Sequence, residues 1–339
     1  MQSNDLEVNP NTFVSPLSKM PPIPTSLLPG FSPRVVCYFQ TYHSNGRYIS
    51  LLPLVTNASG ITHIILSAIH VNWDPNNLTL NDDPPDHPKY TELWDEVLVL
   101  QDSGIKVMCM LGGAAKGSFA RLDYSESRTD IPLARFETYY FPLRDFIRDH
   151  NLDGIDLDVE EEMSLPGIVH LIDRLKADFG QDFIITLAPV ATGLMAGRPH
   201  LSGFDYRLLE AARGRSIAWY NAQFYNGWGG LHNTAAYDEI MSNGWPADKV
   251  IAGMLTNPRH GGSGYIPLEL TAAVLSVLME KYPNFGGVMG WEYWDALPQP
   301  EKAWVWPFCM TLCMGMRKVR DAAIVIAMSR NLASITMSG

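Results

Sequence analysis

The stretch Asn151–Glu162, NLDGIDLDVEEE, sets Asp156, Asp158 and Glu160 in alternation with Ile155, Leu157 and Val159. Apolar/acidic alternation with period two is a strand pattern, because successive side chains on a strand point to opposite faces. Ile, Leu and Val then face one packed layer, while three carboxyl groups line the other face roughly 6.5 Å apart. Like charges that close cannot all ionise freely, so at least one carboxyl holds a proton near neutral pH. A protonated acid beside ionised ones is what general acid catalysis needs. Two plainer explanations compete. A calcium loop requires its glycine after the third acid, whereas Gly154 precedes the run. A solvated acidic edge leaves the Ile/Leu/Val face without a purpose.

The elements around this strand alternate. Apolar strand patterns cover 35–39, 61–71, 106–111, 183–189, 217–225, 250–255 and 287–291. Helical spacing covers 91–102, 134–150, 165–179, 206–213, 237–243 and 268–282. With the acidic strand fourth in order, eight strands separated by helices predict an α/β fold, the (β/α)₈ barrel, which takes about 250 residues. A doubly wound open sheet is the competitor, but no Gly-rich phosphate turn follows the first strand. Active sites of such barrels sit at the C-terminal strand ends. Those ends are chemically loaded here: His70-Val71-Asn72-Trp73, Asp158 with Glu160, Gln223-Phe224-Tyr225-Asn226, and Trp291-Glu292.

The 339 residues, 46% hydrophobic, can bury a large core. Residues 1–30 are proline-rich and read as a flexible leader, 31–310 as one catalytic barrel, and 311–339 as a C-terminal helix or extension. A net charge of −11 argues against nucleic acid and anionic membrane surfaces as partners, and suits a neutral substrate. No apolar run reaches the ~20 residues that span a bilayer. Four cysteines give no disulfide framework, and Cys309-x3-Cys313 lacks the second pair that a zinc site needs. The N-terminus lacks a charged-then-apolar signal pattern, so either conventional secretion is not used or the true start is missing.

Asp153-Gly-Ile-Asp156-Leu-Asp158-Val-Glu160 resembles the Asp-x-x-Asp-x-Asp-x-Glu signature of glycoside hydrolase family 18, the chitinases and endo-β-N-acetylglucosaminidases. The resemblance runs over roughly residues 34–306. KVMCMLGGAAKGSF is similar to the family's strand-three Gly-Gly motif, AWYNAQFYN to its strand-six Tyr motif and FGGVMGWEYW to its strand-eight Trp motif. VVCYFQTYHSNGRYIS, LNDDPPDHPKY, AGMLTNP and GGVMGWEYWDALP resemble the fungal endo-β-N-acetylglucosaminidases more closely. One departure is Met110-Leu111-Gly112-Gly113, where many members carry Ser-x-Gly-Gly; a hydroxyl that helps hold the inner Asp is missing. Another is Asn226, where many chitinases carry Asp after the Tyr.

The resemblance implies roles. Glu160 is the general acid, then the base for water. Asp158 orients the substrate's 2-acetamido group, whose oxygen attacks C1 to give an oxazolinium ion, an exception to the two-carboxylate retaining scheme. Asp156 shares a proton with Asp158, Tyr225 donates its hydroxyl to the acetamido group, and Trp291 floors the sugar. Gln223, Asn226, Asn72 and Asp153 join Trp291 in the expected substrate-binding set. Asp153, however, is off the carboxylate face by parity and suits a structural hydrogen bond. His70 suits a structural role as well, and Glu161 and Glu162 are expected at solvent or a subsite rim. No metal, nucleotide or flavin is implied, since the nucleophile comes with the substrate. The expected partner is an N-acetylglucosamine-containing glycan or chitin, bound by a monomer; the family slightly favours an extracellular setting, but the chain shows no signal peptide and its location stays open.

Three functions remain open: an endo-β-N-acetylglucosaminidase on the N-glycan core, an endochitinase, and a carbohydrate-binding barrel without activity. The last is disfavoured because Glu160 is present. Only 30 residues, Thr256–Phe285, separate strands seven and eight, which leaves no room for a large insertion domain and implies an open groove. Candidate Trp platforms (Trp73, Trp228, Trp245, Trp294) are few, which favours glycans over chitin.

Overall fold

The computed structural model describes residues 33–126 and 132–315. The expected leader and the part of the expected extension beyond residue 315 lie outside them. Eight strands run in chain order: β1 (Arg34–Phe39), β2 (His63–Val71), β3 (Lys106–Gly112), β4 (Gly154–Asp158), β5 (Ile184–Leu187), β6 (Trp219–Gln223), β7 (Val250–Leu255) and β8 (Gly287–Trp291). Neighbours pair in parallel around the set, and β1 pairs with both β2 and β8, which closes the barrel. A short antiparallel strand, Leu78–Leu80, folds back on the end of β2. The helices are α1 (Leu52–Thr56), α2 (Thr91–Asp102), α3 (Ser118–Leu122), α4 (Leu133–Asp149), α5 (Leu165–Phe179), α6 (Tyr206–Arg213), α7 (Ala235–Ser242), α8 (Leu268–Lys281) and α9 (Val305–Gly315).

Parity divides the core. Val36, Tyr38, Ile65, Met108, Met110, Trp219, Ile251 and Met289 fill the barrel interior. Their strand neighbours Val35, Cys37, Ile64, Val107, Cys109, Ile155, Leu157, Ala252 and Val288 pack outward in the larger cluster with the helices. The four cysteines are all buried and free. The acidic strand follows the same rule, with Ile155 and Leu157 outward and Asp156 and Asp158 inward. It stops at Asp158, where the Glu160 N–H turns back onto the Asp158 carbonyl (3.2 Å).

The helices that brace this strand are well signalled. The Ser164 side chain caps α5 by accepting from Gly167 N (3.0 Å), and Gly180 ends it at φ +87°. Between them Ile168, Leu171, Ile172 and Leu175 repeat at helical spacing and are buried. Asp205 caps α6 in the same manner, accepting from Arg207 N and Leu208 N. Between β7 and β8 the described chain holds one 3₁₀ turn, Pro258–His260, and α8, so no insertion domain walls the groove. Helix α9 packs on α8 and β1, and Thr311 Oγ1 donates to Ser59 O (3.0 Å). Residues 311–315 form the last part of this helix.

Gly154 opens the acidic strand because nothing larger fits. A Cβ there would lie 2.3 Å from Ile184 O on β5, against backbone that cannot swing aside. Gly154→Ala is expected to destabilise the fold by about 1–3 kcal/mol, the range for overpacking. Thermal denaturation reads this out, and an unchanged midpoint would contradict it.

Candidate active site

Asp156 is fully buried inside the barrel, beneath the site. Both its oxygens are engaged: Oδ2 accepts from the Tyr38 hydroxyl (2.7 Å), Oδ1 from the Thr186 hydroxyl (2.5 Å) and the Asn221 amide (3.0 Å). Burial pushes this carboxyl up, and the three donors pull it back toward ionisation. The hydroxyl that Met110 cannot supply is thus provided twice, by Tyr38 on β1 and Thr186 on β5. Thr186 was discoverable from pairing, since it sits directly beside Asp156 in the β4–β5 register.

Asp158 lies one step up the same face, buried, with Gln223 Nε2 donating to its Oδ1 (3.1 Å). Burial comes first, then the charges of Glu160 and Asp156, and together they drive its pKa well above the ordinary carboxyl value. Gly112 and Gly113 make room beside it. Both have φ near +90°, and a Cβ on Gly112 would meet Asp158 O at 2.7 Å and the Phe119 ring at 2.3 Å.

Glu160 is half-buried just beyond the strand end. Burial raises its pKa, while the Gln223 amide and the Lys116 cation pull the other way. The Gln223 amide stands 3.1 Å from Asp158 Oδ1, 3.3 Å from Glu160 Oε1 and 2.9 Å from Ala188 O. With two N–H groups facing three acceptors, this amide bridges the two acids and the Ala188 carbonyl. Tyr225 is buried beside them. Burial and the neighbouring charges of Asp158, Glu160 and Asp156 hold its hydroxyl protonated, so it is available as a donor. Trp291 lies alongside, its ring 5.4 Å from that of Tyr38, which bonds Asp156. Asp156, Asp158, Glu160, Gln223, Tyr225 and Trp291 therefore converge on one site at the C-terminal barrel face.

The other expected residues go elsewhere. Asp153 stands at the amino end of β4, accepting from Lys106 Nζ (2.7 Å), Val107 N (2.9 Å) and Gln101 Nε2 (3.0 Å). That is the end opposite the site, and substrate contact gives way to the structural bond that its parity suited. The Asn72 amide donates to Asn77 O (2.8 Å) and Thr79 Oγ1 (3.0 Å), tying its own loop. Asn226 Oδ1 accepts from Gly262 N (2.8 Å), stapling the loop after β7. Glu161, expected at solvent or a subsite rim, is buried and accepts from Gly117 N and Phe119 N (2.8 Å each). It clamps the loop carrying Lys116 beside the acid, a role that no local sequence signal announces. Among the expected platforms Trp73 is 79% exposed, Trp228 and Trp294 are half-buried, and Trp245 is buried in the core. Among the described residues no group of three or more His, Cys, Asp or Glu is placed to hold a metal.

Comparison with known proteins fits this geometry. The model of glycosyl hydrolases family 18 matches residues 34–260. Chitinase 2 of Rhizopus oligosporus is 29% identical over 264 residues, covering 74% of this chain and 45% of its own length. The chain thus spans less than half of that relative. Among solved structures, chitinase ChiC from Aspergillus fumigatus is 56% identical with a TM-score of 0.75, over 84% of this chain and 100% of that one. A fungal endo-β-N-acetylglucosaminidase from the same family is 45% identical with a TM-score of 0.78, over 83% of this chain and 98% of that one. Identity is higher to the chitinase, and the TM-score is higher to the endo-β-N-acetylglucosaminidase.

Proposed function

Because the chain belongs to glycosyl hydrolase family 18, we propose that it is a retaining endo-β-N-acetylglucosaminidase cutting the GlcNAc-β-1,4-GlcNAc bond of the N-glycan core. One observation carries the reaction. Three inward carboxyl groups of unequal environment stand on one strand end, with a tyrosine hydroxyl beside them and an indole beneath. Glu160, held toward its protonated form by burial, gives its proton to the leaving glycosidic oxygen. All three acids come from one strand, so none is assigned the opposite face as nucleophile. The substrate's own acetamido oxygen attacks C1, giving an oxazolinium ion, the substrate-assisted route of this family. Asp158 holds the acetamido N–H and balances the developing positive charge. Tyr225 donates to the acetamido oxygen before attack, and Glu160 returns as base for water. Asp156, held by Tyr38, Thr186 and Asn221, keeps Asp158 in the required proton state.

The choice of N-glycan rests on a cavity whose Gln40 and Thr41 bond the side chain of Glu292, the residue after Trp291. This cavity of about 440 Å³ lies between the ends of β1 and β2, lined by Gln40, Thr41, Tyr42, His43, His70, Asn81, Asp82 and Lys89. Such a hydrogen-bonding lining suits hydroxyl-rich mannose branches better than a stacked linear chain. A second reading, endochitinase, is favoured by the 56% identity to the Aspergillus chitinase. Incubation with a high-mannose glycoprotein and, separately, with chitin oligosaccharides decides between them by mass spectrometry. Release of glycan leaving a single GlcNAc on asparagine is expected. Cleavage of chitin oligosaccharides alone would replace the first reading with the second.

A further inference from the structure

The Trp291–Glu292 segment is held by a buried side-chain assembly that the reaction scheme does not use. Thr256 follows β7, and its N–H donates to Trp291 O (2.9 Å) while its hydroxyl donates to Glu292 O. Four residues on, the His260 imidazole is 4% exposed, and the Glu292 N–H donates to its Nδ1 (3.1 Å). On the far side, the Glu292 carboxylate accepts from Gln40 N (2.9 Å), Thr41 N (2.8 Å) and Thr41 Oγ1 (2.6 Å). The peptide that carries the floor indole is therefore gripped from both flanks.

The donor direction at Nδ1 sets the tautomer. A backbone N–H can only donate, so toward Glu292 Nδ1 accepts at 3.1 Å; this shorter contact favours the Nε2–H tautomer over one in which Nδ1 donates to Trp291 O at 3.3 Å. Nε2 lies 2.9 Å from Asp295 Oδ1, off the line of a straight hydrogen bond, so the contact is chiefly electrostatic. Asp295 is in turn fixed by Asn257 Nδ2, 2.9 Å from both its carbonyl and its Oδ1, and by Arg259. Thr256 Oγ1, 3.1 Å from Nδ1, gives the group the outline of a hydrolytic triad. Thr256 is 1% exposed, however, and its hydroxyl already serves Glu292 O, so no substrate can reach it as a nucleophile.

We propose that His260 is a positioning residue for the reaction: oriented by Asp295, its Nδ1 fixes the Glu292 backbone and thereby the plane of the Trp291 indole under the sugar. The proposal rests on the family 18 assignment of Trp291 as the floor. Without the Nδ1 acceptor a buried backbone N–H is left unpaired, and the segment shifts to find a partner. A displacement on the order of 1 Å remote from the chemistry costs up to ~10²-fold in rate.

The test compares three variants, with thermal denaturation confirming that each folds. Asn places an acceptor where Nδ1 was, Gln places a donor where Nε2 was, and Leu supplies neither. His260→Leu and His260→Gln are expected to lower kcat about 10–100-fold with little change in KM, and His260→Asn to recover most of it. A second readout needs no substrate: ¹⁹F NMR of 5-fluorotryptophan-labelled protein, with the Trp291 line assigned by Trp291→Phe. That line should move or broaden in His260→Leu and return in His260→Asn. An unmoved Trp291 line in His260→Leu, or His260→Asn as impaired as His260→Gln, overturns the proposal. Because the NMR readout is independent of turnover, a wrong choice of glycan would not be mistaken for failure of this proposal.

Discussion

Glu160→Gln is expected to lower kcat by about 10³-fold or more while leaving substrate affinity within a few-fold of the parent. General acid assistance is worth ~10²–10⁴-fold, and loss of the base for the second step adds to it. Glutamine keeps the shape of the side chain and can still meet Gln223, so the loss is that of a transferable proton. A fall in kcat at unchanged KM is the mark of an interaction made only in the transition state. Steady-state kinetics and product-binding calorimetry check both halves. Turnover above a tenth of the parent value would remove Glu160 from the role. The pH dependence of the parent follows from the same proton. The acid must be protonated to act, and burial raises its pKa, so activity falls on the alkaline side at a higher pH than an ordinary glutamate allows. Lys116, which pulls the other way, moderates that displacement.

Local pattern carried the strand and helix order because each element advertises its own face. Helices α2, α5 and α6 end where cap and spacing put them, and β3, β7 and β8 deviate by a residue at most. The acidic strand was legible for the same reason, since period two leaves no freedom in which side chains share a face. What lay hidden needed partners distant in the chain. Tyr38 and Thr186 lie 118 and 30 residues from the Asp156 they serve. No periodicity links them to it, and only strand register does. Asp153 shows the converse limit: it belongs to the matched motif yet faces the barrel's other end, because a motif records residue types and not height along the axis. Asn72 and Asn226 look like site residues by position, and Glu161 like a solvent or rim residue. Their side chains instead meet nearby backbone N–H or carbonyl groups, which any irregular loop must pair if it is to stay ordered.

Asp158→Asn is expected to do two opposite things: to cut kcat by about 10²–10³-fold and to stabilise the fold. The first follows from the proposed mechanism: Asn offers no negative charge to balance the proposed oxazolinium ion, in a buried site where charge counts for more than it does in water. The second follows from linkage. Asp158 is buried, and burial together with the charges of Glu160 and Asp156 holds its folded-state pKa well above the reference value of 3.8. Below pH 4 it is protonated in both folded and unfolded chains and exerts no differential effect. As pH rises past that value the unfolded chain releases the proton first, and the folded state loses stability until its own carboxyl ionises. Asparagine never ionises, and its carbonyl can still accept from Gln223. The gain over the parent is therefore small near pH 4 and grows toward neutrality, to about 1–2 kcal/mol. At ~2.1 cal/mol/K of unfolding entropy per residue, over a barrel of roughly 280 residues, that is a rise of about 2–3 °C in Tm. Thermal melts at pH 4 and pH 7 with both proteins measure it. A Tm advantage that is equal at the two pH values, or that shrinks toward neutrality, would mean that Asp158 carries no raised pKa and that the proton shared along the acidic strand resides elsewhere.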